Sequence, residues 1–530
     1  MKAKIIFISI IVLAISLRLI FFKEITFFYD QAKDALTSME IWQGDPLKIL
    51  GPQTDFKGLH HGPMYWYLIS PVYFFSKGSP FQVKLFLITL NLINIFVIYK
   101  LTQSMFKKRE VSLLAAFLYA ISFEAIQYAR WLSNPAPALV TSTISFWSLY
   151  QLTQNKKWAI IPLLISWAIS IQFQIFMIYQ IIIFVIIWIS LKGVALPKVS
   201  LKAFWIALSG FLFFISTYIV SEFKFNFQGI KAFLTFFETQ NFFGGSFTQM
   251  FTNYLDRLAN LFFLNVWGIN LFLAGLMTIA TLYFTYLSIK KGLFTKELIF
   301  LLIWVLSPII VNFFAGPNAN YTNLGALSAV VILTSYLLIS LKDKSKLVFG
   351  VALIIIIIGN LQLVLAKNRD GEVLFTVQKQ MVLSNELKTI DWIYNEAKGQ
   401  PFKLNTISAP LFINSLWADL FNWYGKTKYG YMPFWWGETQ VDVAGANVKF
   451  ANESPTSLHF LIIEPGAGGD NDYTIAIKAL EDTRSKTVKT EKIGNFFVEK
   501  REITTPRIFT SQDVFYFVKE TDVGKLRNMQ

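Results

Sequence analysis

Three short stretches hold residues whose types and spacing could do chemistry. In "EITFFYDQAKDAL" (residues 24–36) Asp30 stands between an aromatic run and a short amphipathic pattern, with Gln31 beside it and Asp34 one helical turn on. A carboxylate there can cap a helix by accepting a backbone N–H, and it can equally act as a general base for an incoming nucleophile. In "GLHHGPMYWYL" (residues 58–68) His60 and His61, two of only three histidines, precede a Gly62–Pro63 turn, with Lys57 just before them. Such a pair can hydrogen-bond a phosphate or a sugar hydroxyl. Neighbouring histidines rarely meet on one metal ion without further ligands, so no metal and no other cofactor is expected. In "FEAIQYARWLSNPAPALV" (residues 123–140) Arg130 lies near Glu124 and Asn134. Arginine can anchor a helix end at a membrane surface, or grip a phosphate with two N–H groups. Arg18 admits the same two readings.

The elements that must position these residues are mostly apolar helices. Mean hydropathy is +0.48, with 54% hydrophobic and 15% charged residues among 530. Runs long enough to cross a bilayer, roughly 20 residues each, recur through the first two thirds. The pattern predicts eleven spans, in residues 3–22, 82–104, 111–128, 136–153, 157–171, 174–191, 202–221, 265–289, 297–315, 321–341 and 347–365. The first lacks a small-residue cleavage site and reads as a retained span. Between spans one and two, residues 23–81 form a long outer loop with two helical pieces that suit a membrane surface. Residues 222–264 form a second long, aromatic outer loop.

From about residue 366 the composition becomes that of a water-soluble domain. Helical patterns at 378–397, 412–424 and 472–483 alternate with the strand-like runs "KLNTISA", "LHFLIIEP", "KTVKTEKIG" and "NFFVEKREI". The expected fold is thus a polytopic α-helical membrane protein with surface helices in its first outer loop (residues 1–365). A small C-terminal extracytoplasmic α/β domain follows (366–530).

The net charge of +15 does not point to nucleic acid. Lysines cluster at 2–4, 107–109, 156–157, 192–202, 290–296 and 342–346, in alternate gaps between apolar runs, which marks those gaps as cytoplasmic. The N-terminus is then inside, and an odd number of spans puts the C-terminal domain outside. Lys33, Lys57 and Arg130 break the trend by lying outside, which suggests an anionic partner there. The chain has no cysteine, so disulfides and thiol chemistry are excluded.

Together "FYDQAKDAL", "HHGPMYWYLISP" and "YARWLSNPAP" resemble motifs of glycosyltransferase family 39, the C-type glycosyltransferases that include protein O-mannosyltransferases and lipid A aminoarabinose transferases. The resemblance covers residues 1–365. It implies an inverting membrane transferase that moves a sugar from a polyprenyl-phosphate donor to an acceptor glycolipid, polymer or protein on the outer face. By the same resemblance Asp30 is the general base, and Arg130, His61, Lys57 and, more weakly, Arg18 face the departing phosphate. His60, Asp34, Gln31 and Asn134 are further substrate contacts. Two positions depart from the family pattern: Gln31 and Asn134 stand where acids are usual. A transporter or flippase, and a catalytically inactive relative serving in assembly, are the alternative readings. Ionisable residues at span ends rather than at the bilayer midplane favour surface chemistry over transport.

Overall fold

The computed structural model describes residues 2–520 apart from 45–46, 55, 196, 240–246, 313–319, 372, 376–379, 438–455 and 467–471. Residues 240–246 of the second aromatic loop lie outside the described residues. Along the chain come α1 (Lys2–Leu19), α2 (Tyr29–Glu40), α3 (Met64–Phe75), α4 (Pro80–Phe106), α5 (Arg109–Ile121) and α6 (Phe123–Arg130). Next are α7 (Pro135–Thr153), α8 (Ile160–Phe173), α9 (Gln180–Lys192), α10 (Leu201–Lys224), α11 (Gln228–Thr239) and α12 (Phe247–Asn265). Then follow α13 (Leu271–Lys290), α14 (Thr295–Leu306), α15 (Ile309–Asn312), α16 (Leu327–Lys342) and α17 (Lys346–Arg369).

The remainder of the chain is mixed. It runs α18 (Leu383–Ala397), β1 (Lys403–Ile407), α19 (Ser415–Leu420), α20 (Lys426–Tyr429), β2 (Phe434–Trp435) and β3 (Leu458–Ile463). It ends with α21 (Asp472–Arg484), β4 (Ser485–Ile493), β5 (Phe496–Ile503) and α22 (Ser511–Glu520).

Each expected span overlaps helix, though 266–270 lie between α12 and α13 and 313–315 lie outside the described residues, and not every helix qualifies as a crossing by itself. Among the described residues six helices are long and apolar enough to cross a membrane, or seven if the α5–α6 pair, bent by 55°, is one span. The span expected at 111–128 is therefore bent, at Ser122. Its hydroxyl accepts from Ala125 N–H at 3.1 Å and so starts α6 afresh. The N–H of Phe123, left free by the bend, donates to Asn360 Oδ1 at 3.0 Å. Polar side chains thus satisfy the broken backbone that hydrocarbon would not.

By internal packing the chain forms two compact units. The first comprises residues 1–20, 47–68 and 84–369. Its α16 is buried almost throughout, from Leu327 to Ile339, whereas α10 is apolar yet exposed, with Phe213, Val220 and Phe223 bare. An exposed apolar face on a helix of 24 residues is the signature of contact with lipid rather than water.

The second unit comprises residues 21–46, 69–83 and 370–530, so part of the stretch between α1 and α4 packs with the C-terminal chain. Its five-stranded sheet runs β2-β1-β3-β5-β4, parallel from β2 to β3 and antiparallel beyond. Successive strand residues face opposite sides. Leu461 packs with Ala476, Ile477 and Val514 of α21 and α22, while Phe460 meets Trp392 of α18. The aromatic segment 429–437 packs on its own domain. Tyr429 stacks on Tyr394 at 4.2 Å, and Trp436 lies 3.8 Å from the Arg484 guanidinium. The two-residue β2 and the helix α22 escaped the sequence reading.

Candidate functional site

In the second unit, residues 25–28 reach α2 by pairing with residues 381–383. Phe27 N–H donates to Met381 O at 3.1 Å and Leu383 N–H to Ile25 O at 2.9 Å. The helix then packs against α19. Its N-cap position is Phe28, not Asp30, and Gln31 Oε1 accepts the Phe28 N–H at 3.4 Å. Asp30 is thus not the N-cap residue, and Gln31, which bonds the cap position's N–H, is buried. Asp30 sits inside the first turn and is exposed. A carboxylate there is favoured by the positive end of the helix.

Asp34, four residues on, is buried. It shares its surroundings with Asp419 of α19 and Tyr73 of α3, whose phenol is pushed up by burial and then by Asp419 and Asp34. Burial pushes the Asp419 carboxyl well above the usual carboxylate range. Lys33 extends over the Tyr29 ring at 5.9 Å.

The other candidates belong to the first unit. Residues 51–62 fold as a short antiparallel loop. Gly51 N–H donates to His61 O at 3.0 Å, His61 N–H to Pro52 O at 2.8 Å and Thr54 N–H to Leu59 O at 2.9 Å. Lys57 is exposed at the tip, beside Gly58, whose φ of +88° suits glycine. Alternation along the strand sends the two histidines to different surroundings. His60 is half-buried and its Nδ1 donates to Gly51 O at 3.1 Å. His61 is buried, and its Nδ1 accepts the Ile175 N–H at 3.2 Å. Burial, then His60, lowers the His61 imidazole to about 3, so the ring is neutral and its Nε2 carries the proton.

Asn134 reaches the same break between α8 and α9, donating to Phe173 O at 2.6 Å. Gly62 N–H donates to Gln172 O at 2.9 Å. His61, Gly62 and Asn134 therefore converge on residues 172–175. Arg130 is buried at the end of α6. It donates to Ile20 O at 2.7 Å and to Asn368 O at 3.4 Å, tying together the C-terminal ends of α1 and α17.

Arg18 does not snorkel. It is fully buried, with Nε donating to Asn91 Oδ1 at 2.8 Å and Nη1 to Ala120 O at 3.0 Å. The sequence reading missed its companions Asn91, Asn94 and Tyr119, and also Asn265, which donates to Glu124 Oε2. The signal was there in principle, since asparagines inside apolar helices need partners. Among the described residues no group of three or more His, Cys, Asp or Glu side chains gathers as a metal site.

Residues 60–220 match the family model described as dolichyl-phosphate-mannose-protein mannosyltransferase. ArnT from Cupriavidus metallidurans bound to undecaprenyl phosphate superimposes with a TM-score of 0.54 at 10% identity, covering 94% of this chain and 98% of that one. Its apo form gives 0.54 at 9% identity, over 93% and 97%. The oligosaccharyltransferase AglB from Archaeoglobus fulgidus, in complex with an inhibitory peptide and a dolichol-phosphate, gives 0.46 at 12% identity, over 93% and 74%. No curated protein matches significantly in sequence. The match over residues 60–220 includes two of the three motifs and the fold likeness spans nearly the whole chain, so the resemblance holds: this is a multi-pass membrane protein of the C-type glycosyltransferase fold, similar to glycosyltransferase family 39.

Proposed function

We propose that the chain transfers a sugar from a polyprenyl-phosphate donor to an acceptor on the outer face of the membrane, with inversion and with Asp30 as general base. The observation that carries this reading is the setting of Asp30. It is an exposed carboxylate in the first turn of a helix whose cap position's N–H is bonded by Gln31. Asp30 takes the proton of an acceptor hydroxyl or amine while that atom attacks the anomeric carbon. The bond from that carbon to the phosphate oxygen breaks, and the electron pair leaves with the lipid phosphate.

Charge growing on that phosphate calls for fixed donors. Lys57 offers an exposed ammonium, His61 a neutral Nε2–H, and Arg130 a guanidinium whose place is set by two carbonyls. Because His61 stays neutral, it acts as a hydrogen-bond donor rather than as a counter-charge. Gln31 and Asn134 cannot ionise, so a single-carboxylate, metal-independent mechanism follows, and Arg18, engaged within the helices, stays outside it. The fold shared with a protein crystallised with undecaprenyl phosphate supports the donor class. N-terminus inside and C-terminal domain outside complete the proposal.

The test is transfer of labelled sugar from a polyprenyl-phosphate donor by purified protein in nanodiscs, followed by mass spectrometry of the product. Solute counterflow without a covalent product would replace this reading with transport.

A further inference from the structure

The sheet of the second unit has a switch in strand order. From β1 the chain passes through α19 to β2 on one side, then returns past β1 to β3 on the other, and the three strands run parallel. In open α/β sheets, ligands bind outside the carboxyl ends of the strands at such a point. Here that end carries Glu464, which directly follows β3. Its N–H donates to Ile407 O at the end of β1 at 3.1 Å. Its Oε2 accepts the Ala409 N–H at 2.7 Å and its Oε1 the Trp417 indole N–H at 2.8 Å.

A second carboxylate comes from the start of α18. The turn between β4 and β5 abuts that start, since a Cβ on Gly494 would fall 2.3 Å from Asn385 Nδ2. Two residues beyond Gly494, Phe496 packs edge-on against Trp417, with ring centroids 5.8 Å apart. Glu386, next to Asn385, is thereby brought beside Glu464, and the two carboxylates act on each other. Glu386 is fully buried and neither of its oxygens has a hydrogen-bond partner. Thr389, one turn on along the same buried face of α18, is also fully buried with an unpartnered hydroxyl. Among the described residues no lysine, arginine or histidine pairs with either glutamate. Buried orphans of this kind call for an ion or a water.

The chemistry of the set selects the ion. Glu386 offers two oxygens, Glu464 keeps a lone pair on each of its own, and Thr389 adds a hydroxyl. With oxygens only, the set suits a hard cation rather than a transition metal, and two carboxylates balance a divalent one. Calcium takes roughly 6–8 oxygens in flexible geometry, water included, whereas magnesium demands a strict octahedron and dehydrates reluctantly. We propose that Glu386, Glu464 and Thr389 bind one calcium ion that fastens the start of α18 to the carboxyl ends of β1 and β3. The ion is structural. Leu383, one turn before Glu386, donates its N–H to Ile25 O, so the ion steadies the segment that leads into α2. None of its ligands belongs to the residues assigned to transfer, so the site stands whether or not the transferase reading does.

The experiment is thermal melting of the full chain in zwitterionic nanodiscs at pH 7.5, stripped with chelator and then titrated with calcium or magnesium chloride at constant ionic strength. Equilibrium dialysis with radioactive calcium counts the ions. The proposal expects one ion per chain and a melting temperature that rises with calcium to a plateau, half-reached on the order of 10⁻⁴–10⁻³ M. Magnesium should do much less. Glu386→Gln and Glu464→Gln should each weaken calcium binding by about tenfold or more, and Thr389→Val by less, whereas Glu491→Gln on the exposed strand β4 should bind like the wild type. No response to calcium, meaning that the carboxyls hold protons only, would overturn the proposal. So would an adventitious surface ion, seen as equal binding by wild type, Glu386→Gln and Glu464→Gln. Should both amide variants fail to fold, Thr389→Val keeps both charges, and wild-type affinity in that variant would sink the site.

Discussion

His60 and His61, adjacent in sequence, hold opposite tautomers: Nδ1 of His60 donates to the Gly51 carbonyl and Nδ1 of His61 accepts the Ile175 N–H. One ring thus presents an acceptor nitrogen and the other a donor. The depressed pKa of His61, about 3 against 6.5 in the unfolded chain, has a thermodynamic consequence. Between those values the unfolded chain binds a proton that the folded chain refuses, so stability falls with pH from 6.5 toward 3, by about 1.4 kcal/mol per unit. His61→Gln keeps an acceptor for Ile175 but does not titrate. Melting measured from pH 7.5 to pH 4.5 should show the wild type losing more stability than the variant. Parallel curves would contradict the buried neutral ring.

Asp30→Asn should reduce transfer by roughly 10²–10⁴-fold, the usual contribution of a general base. Because Asp30 is exposed, removing its charge from the first turn should cost at most about 1 kcal/mol, so the melting temperature should stay close to the wild-type value. Full turnover by Asp30→Asn would remove it from the base role.

Arg130→Lys should be poorly tolerated although it keeps the charge. A single ammonium cannot reproduce the fork that serves Ile20 O and Asn368 O. Leaving a buried carbonyl unpaired costs about 1–3 kcal/mol, read as lower thermal stability in nanodiscs. In the transferase reading the same variant should raise KM for the lipid donor. A variant as stable as the wild type would show that the two carbonyls find other partners.

Gly51 and Gly62 approach so closely that a Cβ on Gly51 would lie 2.2 Å from Gly62 O, and one on Gly62 would lie 2.0 Å from Gln172 Oε1. Alanine at 51 must force the loop apart at His61 and Gly62, and alanine at 62 must displace the buried Gln172 side chain, so each disturbs the setting of the histidines. Gly51→Ala and Gly62→Ala should each lower transfer strongly. Gly44→Ala, where no atom lies within 4 Å of the added carbon, strains only its own positive φ and should lower transfer far less. Equal losses at all three positions would argue against a role for loop geometry.

Glu464 gives the second unit a pH response of its own. Buried, and accepting from Ala409 N–H and Trp417 Nε1–H, its carboxyl is pushed up to about 7. The neighbouring Glu386 is also held above the usual range by burial and by Glu464. A raised carboxyl pKa favours the folded state fully below the unfolded value near 4.5, and the benefit fades as pH rises through 7. Glu464→Gln, uncharged at every pH, should therefore match the wild type near pH 5 and exceed it in melting temperature at pH 8.5. A variant no more stable at pH 8.5 than at pH 5, relative to wild type, would contradict the shift.

The positions of the helices were legible because long apolar runs report a hydrocarbon setting directly. What escaped was set by distant partners. The bend at Ser122 depends on Asn360, 237 residues away from Phe123, and no local pattern announces it. The strands β3, β4 and β5 announced themselves through alternation, whereas β2 is two residues that exist only by pairing with β1. Among candidate site residues, Asp30, His60, His61 and Arg130 were found by type at apolar boundaries.

The pairing of residues 25–28 with 381–383, and of α2 with α19, also bears on how this chain can be taken apart. The carboxylate assigned to chemistry is carried by a helix that leans on residues nearly four hundred positions later. A shortened protein ending at residue 369 would keep its apolar helices, yet α2 would have lost the surface it is built on. Deletion of the C-terminal portion should therefore read as an inactivating lesion rather than the trimming of an accessory, and complementation by the separately supplied portion would have to rebuild that helix contact before any sugar could move.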